Sequence, residues 1–164
     1  MIMASKILVL GAHPDDGEFG CGGTIARFIE EGREVYYAVF SLCEKSVPEN
    51  LPKDILAKEL RASIDVLGLP EDHLFMFNYE VRTFPTFRQE ILEDLVVIRN
   101  RLKPDLILMP SPNDLHQDHN TLSQEGALKW YVMLVEEQDS IPVLDRYQPV
   151  AVRPHIRHIE VLDL

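Results

Sequence analysis

An open α/β fold, with a parallel sheet covered by helices on both faces, is predicted by three features of this sequence. Short apolar runs alternate with longer amphipathic stretches in the order β-α-β-α-β-α-β-α. Two of the runs, Ile7 to Leu10 and Leu106 to Met109, are apolar at every position, which is how strands buried on both faces read. The helical stretches stop at Gly32, Gly68 and Pro104, residues that end helices. Right-handed crossovers then favour strand order 3-2-1-4, with a last strand beyond the fourth.

Each element has its own local reason. After Ile7 to Leu10, closed by Gly11, comes an acidic loop, and then a helix whose Ile25, Phe28 and Ile29 fall on one face. Glu34 to Ser41 is β-branched and aromatic and reads as the second strand. Pro48 and Pro52 break the loop that follows. Leu56, Leu60, Ile64 and Leu67 form the stripe of the second helix, and Leu74 to Phe77 is a short third strand. Thr86 is placed to cap a third helix with the stripe Ile91, Leu95, Ile98 and Leu102. After the fourth strand, Thr121 and Gln124 have the spacing of a capping box, before a helix face of Leu128, Tyr131, Val132 and Val135. Ile156 to Leu162 is the candidate closing strand. No repeat or linker divides the chain, so a single domain over residues 1–164 is expected.

Composition narrows the function classes. A chain of 164 residues with 46% apolar content can bury a substantial core, roughly 70% of its extended surface. Sixteen basic against 27 acidic residues leave a net charge of -11, which disfavours nucleic acid and anionic membrane surfaces as partners. Two cysteines, Cys21 and Cys43, make no disulfide framework and point to a reducing setting. The first residues carry no pattern of a signal peptide, and no apolar run reaches the length of a membrane span, so a cytoplasmic protein is expected.

The chemistry concentrates in two clusters. Gly11-Ala12-His13-Pro14-Asp15-Asp16-Gly17-Glu18 follows the first strand, and Asn113-Asp114-Leu115-His116-Gln117-Asp118-His119 follows the fourth. In a 3-2-1-4 sheet these loops flank the switch point, where open α/β sheets bind ligands. His13, Asp16 and His119 supply two imidazoles and a carboxylate, a set that suits Zn2+ with an open position for water and also suits Fe2+. Asp15, beside a ligand but pointing elsewhere, is the candidate general base. His116 can face the substrate oxygen, with Asp118 fixing its tautomer.

Ala-His-Pro-Asp-Asp-x-Glu, then Gly-Cys-Gly-Gly-Thr, then His-x-Asp-His resembles the LmbE-like (PIG-L) metal-dependent de-N-acetylases from about Lys6 to Ala127. This group includes the N-acetylglucosaminyl-phosphatidylinositol deacetylases and those of mycothiol and bacillithiol synthesis. The resemblance implies a Rossmann-like three-layer sandwich, with zinc on His13, Asp16 and His119. It also implies Asp15 as base, His116 as oxyanion donor and Asp118 as its support. The implied activity is hydrolysis of the N-acetyl group of an amino sugar or its conjugate, with Asp15 or His116 protonating the leaving amine. A metal amidase acting on a non-sugar N-acyl substrate, and a silent sugar-binding scaffold of the same fold, are the alternatives.

The chain departs from the family pattern in two places. Ser41-Leu42-Cys43 stands where many relatives have Thr-x-Gly, and Lys53 and Lys58 are the only cations near a position where many carry arginine. Relatives also often continue further, so a shallower cleft, or one completed in a homo-oligomer, is expected. Of the remaining polar residues, Glu18 reads as complementing a helix start or supporting the site. Gly20 to Thr24 reads as tight packing, Cys21 as a buried apolar residue, and His73 as a surface residue. His155 and His158 share a strand-like stretch and point to opposite faces. Arg82, in Val81-Arg82-Thr83-Phe84-Pro85, is a candidate contact for a substrate phosphate or hydroxyl.

Overall fold

A computed structural model describes residues 5–136 and 158–162, with side chains described for residues 5–127. The strands are β1 (Lys6–Gly11), β2 (Glu34–Val39), β3 (Leu74–Met76), β4 (Leu106–Pro110) and β5 (His158–Leu162), and the helices are α1 (Asp16–Glu30), α2 (Ile55–Leu67), α3 (Arg88–Leu102) and α4 (Gln117–Glu136). The strands form one parallel sheet in the order β3-β2-β1-β4-β5, as the alternation of elements requires. β1 lies at its centre, with Val9 opposite Tyr37 on one side and Leu108 on the other.

Both faces of the sheet are covered, and this explains the uninterrupted apolar runs. Ile7 and Val9 point to the layer of α1 and α2, where they meet Ile25, Leu60 and Ile64. Leu8 and Leu10 point the other way, to Ile91, Leu95 and Leu122 of α3 and α4. All four strand residues are at most 2% exposed, and burying each contributes about 1.5–3 kcal/mol.

Two helices start earlier than the sequence pattern indicates. α1 begins at Asp16 inside the acidic cluster and runs through Gly20 to Thr24, with non-helical angles at Cys21. α4 begins at Gln117, so Thr121 lies one turn inside it and its hydroxyl donates to the Gln117 carbonyl instead of closing a capping box. Thr86 sits in a 3₁₀ turn, Phe84–Phe87, and does not cap α3, which follows directly. His73 is not a surface residue. It is half-buried, with Nδ1 2.8 Å from the Val35 carbonyl and its ring stacked on Tyr36. The face of Leu128, Tyr131, Val132 and Val135, and the orientation of His155 and His158, lie outside the described residues.

Tyr37, fully buried on β2, supports the loop after β1. Its hydroxyl accepts the Gly17 N–H at 2.8 Å and donates to Glu18 at 3.1 Å. Gly17 lies so close to this ring that an added Cβ would stand 2.7 Å from Cζ. Gly17→Ala is therefore expected to destabilise the protein by about 1–3 kcal/mol, read as a lower urea midpoint. An unchanged midpoint would contradict this packing.

Candidate active site

The two clusters meet at the carboxyl end of the sheet, beside β1. His13 stands in the loop after β1 and Asp16 opens α1. His119 lies in the first turn of α4 and His116 just ahead of it. Helix N-termini favour acids in their first turns, and Asp16, Glu18 and Asp118 occupy such positions.

Each of the two inner imidazoles is held from behind by a carboxylate. His13 Nε2 lies 3.1 Å from Asp118 Oδ2, and His119 Nδ1 lies 2.8 Å from Asp114 Oδ2. These contacts place a proton on each outer nitrogen and leave His13 Nδ1 and His119 Nε2 to present lone pairs. The two inner nitrogens are 3.1 Å apart, and the Asp16 carboxylate approaches them at 3.7 Å and 3.2 Å. Ligands held about 2.0–2.1 Å from a tetrahedral ion lie ~3.3 Å from one another. The donor set thus fits a small divalent cation in both spacing and chemistry.

Electrostatics point the same way. Burial alone would lower the His13 pKa, but Asp16 and Asp118 raise it overall. Hydrogen bonding to Asp16, with further help from Asp114, raises that of His119 to about 9. Burial opposes ionisation of Asp16, yet its bonds with His119 and His13 hold it well below the carboxylate range. The cluster is an anionic pocket that attracts a cation.

The ligand atoms of His13, His116 and His119 all lie within 4.8 Å of one another, so the three imidazoles could hold a metal ion. His116 differs from the other two in its hydrogen bonding. Its Nδ1 accepts the Asp118 backbone N–H at 3.2 Å, so its neutral ring carries the proton on Nε2. Burial and the neighbouring His13 lower its pKa and keep it neutral. Its free nitrogen is a hydrogen-bond donor.

The structure brings together the residues singled out above, with some partners changed. The Asp118 carboxylate is fully buried and bonds His13, while only the Asp118 backbone reaches His116. It also accepts the backbone N–H groups of Arg82 at 2.5 Å and Phe84 at 3.2 Å. Asp15 immediately precedes α1, exposed, and its carboxylate has no hydrogen-bond partner among the described residues. It lines a cleft of about 630 Å³ together with His13, Glu18, Phe19, Arg82 and His116. Glu18 is held there by Ser63 and Tyr37. Cys21 is buried in the α1–α2 layer. Cys43 adopts φ 52°, the left-handed conformation that glycine would supply in the Thr-x-Gly turn. Asp114, also in the second cluster, has a role that its place in the sequence does not reveal. It accepts the His116 N–H at 2.7 Å as well as bonding His119.

Comparison with known proteins finds related sequences and structures. A family model described as "PIG-L: GlcNAc-PI de-N-acetylase" matches residues 8–129. Diacetylchitobiose deacetylase from Thermococcus kodakarensis is 28% identical over 123 residues, covering 70% of this chain and 45% of that protein. A probable N-acetyl-alpha-D-glucosaminyl L-malate deacetylase 2 from Bacillus cereus is 25% identical over 133 residues, covering 74% and 59%. The structure of N,N'-diacetylchitobiose deacetylase from Pyrococcus horikoshii superposes with a TM-score of 0.69 at 26% identity, covering 80% of this chain and 51% of that one. The chain thus spans roughly half the length of these relatives.

Asp114 gives the geometry a direct test. Asp114→Ala frees His119 Nδ1 and is expected to weaken uptake of a divalent metal about 10–100-fold, measured against a chelating dye. Unchanged affinity would show that the Asp114–His119 bond does not order a metal ligand.

Proposed function

Because the chain belongs to the GlcNAc-PI de-N-acetylase (PIG-L) family, we propose that it is a zinc-dependent hydrolase that removes the acetyl group from an N-acetylated amino sugar or its conjugate. The observation that most supports this reading is the facing pair His13 Nδ1 and His119 Nε2, 3.1 Å apart. Each ring is backed by a carboxylate, and the Asp15 carboxylate has no partner among the described residues. In this reading His13, Asp16 and His119 hold the ion. Bound there, it would supply Lewis-acid polarisation of the amide carbonyl and lower the pKa of water toward neutrality. Fe2+ suits the same ligand set.

The chain's own groups divide the proton work. Asp15, exposed in the cleft with a carboxylate that has no hydrogen-bond partner among the described residues, takes the proton from the attacking water. His116, neutral and protonated on Nε2, donates to the oxygen that becomes negative as the carbonyl turns tetrahedral. Asp118 holds His13 through its side chain and His116 through its backbone, so one residue aligns both rings. The proton held by Asp15 is then available to the departing amine.

This division of roles separates two variants. Asp15→Ala is expected to keep stoichiometric metal while acetate release falls about 10²–10⁴-fold, and His119→Ala is expected to lose the metal itself. Both are measured by metal analysis and by amine release from a panel of acetylated amino sugars. Equal metal loss in the two variants would refute the assignment. No release from any acetylated hexosamine by metal-loaded wild type would refute the activity.

A further inference from the structure

We propose that Arg82 determines specificity at the mouth of this cleft by donating from its guanidinium to hydroxyl oxygens of an uncharged sugar. The proposal rests on the deacetylase reading above and assigns a substrate-reading residue to the same site.

Arg82 adopts φ 69°, a left-handed conformation that L side chains rarely take. Its backbone is clamped on both sides by the site. The N–H donates to Asp118 Oδ2 at 2.5 Å, and the carbonyl accepts from the Gln117 side-chain amide. A position needed only for these two backbone bonds is best filled by glycine, which adopts this conformation without strain. An arginine there retains strain, and strain held by site residues points to a use for the side chain.

The surroundings show what that use is. Arg82 is the one lysine or arginine lining the cleft among the described residues. Among the described residues its one side-chain contact is a long one, 3.5 Å to Ser46 Oγ, and it has no carboxylate partner. The other nearby cations are engaged. Lys45 pairs with Glu80 at 2.6 Å, Lys58 with Asp54 at 2.8 Å, and Lys53 donates to the Val47 carbonyl at 2.9 Å. A guanidinium presents a rigid fork of donors that matches neighbouring oxygens. Asp15, Glu18 and Glu59 also line the cleft, and they would repel an anionic substituent that a single arginine attracts. Hydroxyl oxygens meet the fork without that repulsion.

Arg82→Gly tests the proposal because it removes the guanidinium and relieves the backbone at once. With N,N'-diacetylchitobiose as probe, KM is expected to rise about tenfold, with the smaller effect on kcat, while the melting temperature rises by about 2–4 °C. Arg82→Lys should fall between wild type and Arg82→Gly in KM. Binding of the same disaccharide, followed by saturation-transfer NMR, should weaken in parallel. Wild-type KM and binding in Arg82→Gly would overturn the proposal. So would a wild-type preference for N-acetylglucosamine 1-phosphate that Arg82→Gly abolishes. A wild-type protein that neither binds nor deacetylates any acetylated amino sugar would bring down the deacetylase reading along with the proposal. Normal wild-type turnover with an unaltered Arg82→Gly would remove Arg82 alone.

Discussion

Two imidazole nitrogens that face each other across 3.1 Å, each with its proton committed to a carboxylate on the far side, need a cation between them. This constraint organises the chain. The lone pairs repel unless a proton or a metal ion joins them, and Asp16 adds negative charge to the same point. The sheet exists, functionally, to bring the two halves of this pair together. His13 follows β1, and His119 follows β4, its parallel neighbour. A register error of one residue would exchange inward and outward faces along these strands and separate the pair.

The polar groups behind the rings show how such a site is kept rigid. Asp118 is wholly buried, a costly place for a carboxylate without partners. It has three donors: His13 and the backbone N–H groups of Arg82 and Phe84. It thereby ties the loop after β3 to the start of α4 and to the loop after β1. On the opposite layer, Tyr37 does similar work for α1 by holding the Gly17 N–H and Glu18. The groups left with freedom are those to which the proposed reaction assigns the proton transfers, Asp15 and the Nε2 side of His116. A site built this way keeps its cation-binding geometry fixed while the proton carriers stay accessible.

Much of this was legible in the residues alone, for identifiable reasons. Ile7 to Leu10 and Leu106 to Met109 are apolar throughout because both faces of their strands are covered, so the parallel sheet and its order could be read directly. The two clusters could be paired because the switch point brings their loops together. Helix starts were misread because the site uses them. Asp16, Asp118 and His119 occupy first turns, and their polarity imitates loop. Thr121 and Thr86 then looked like better caps than they are. Which ring Asp118 and Asp114 support could not be read, since it depends on side-chain directions at the start of α4 that spacing does not specify. The left-handed turn at Arg82 was hidden for a simpler reason: the residue type argues against it.

The central claim is that the ion sits between His13 and His119 with the Asp16 carboxylate, while His116 stays outside and donates a proton. X-ray absorption at the zinc K-edge of the loaded protein reads the ligand set directly. The expected result is two imidazoles, with the remaining ligands oxygen at about 2.0–2.2 Å. A ligand set of three imidazoles would contradict it, because His116 would then have taken the place of the carboxylate.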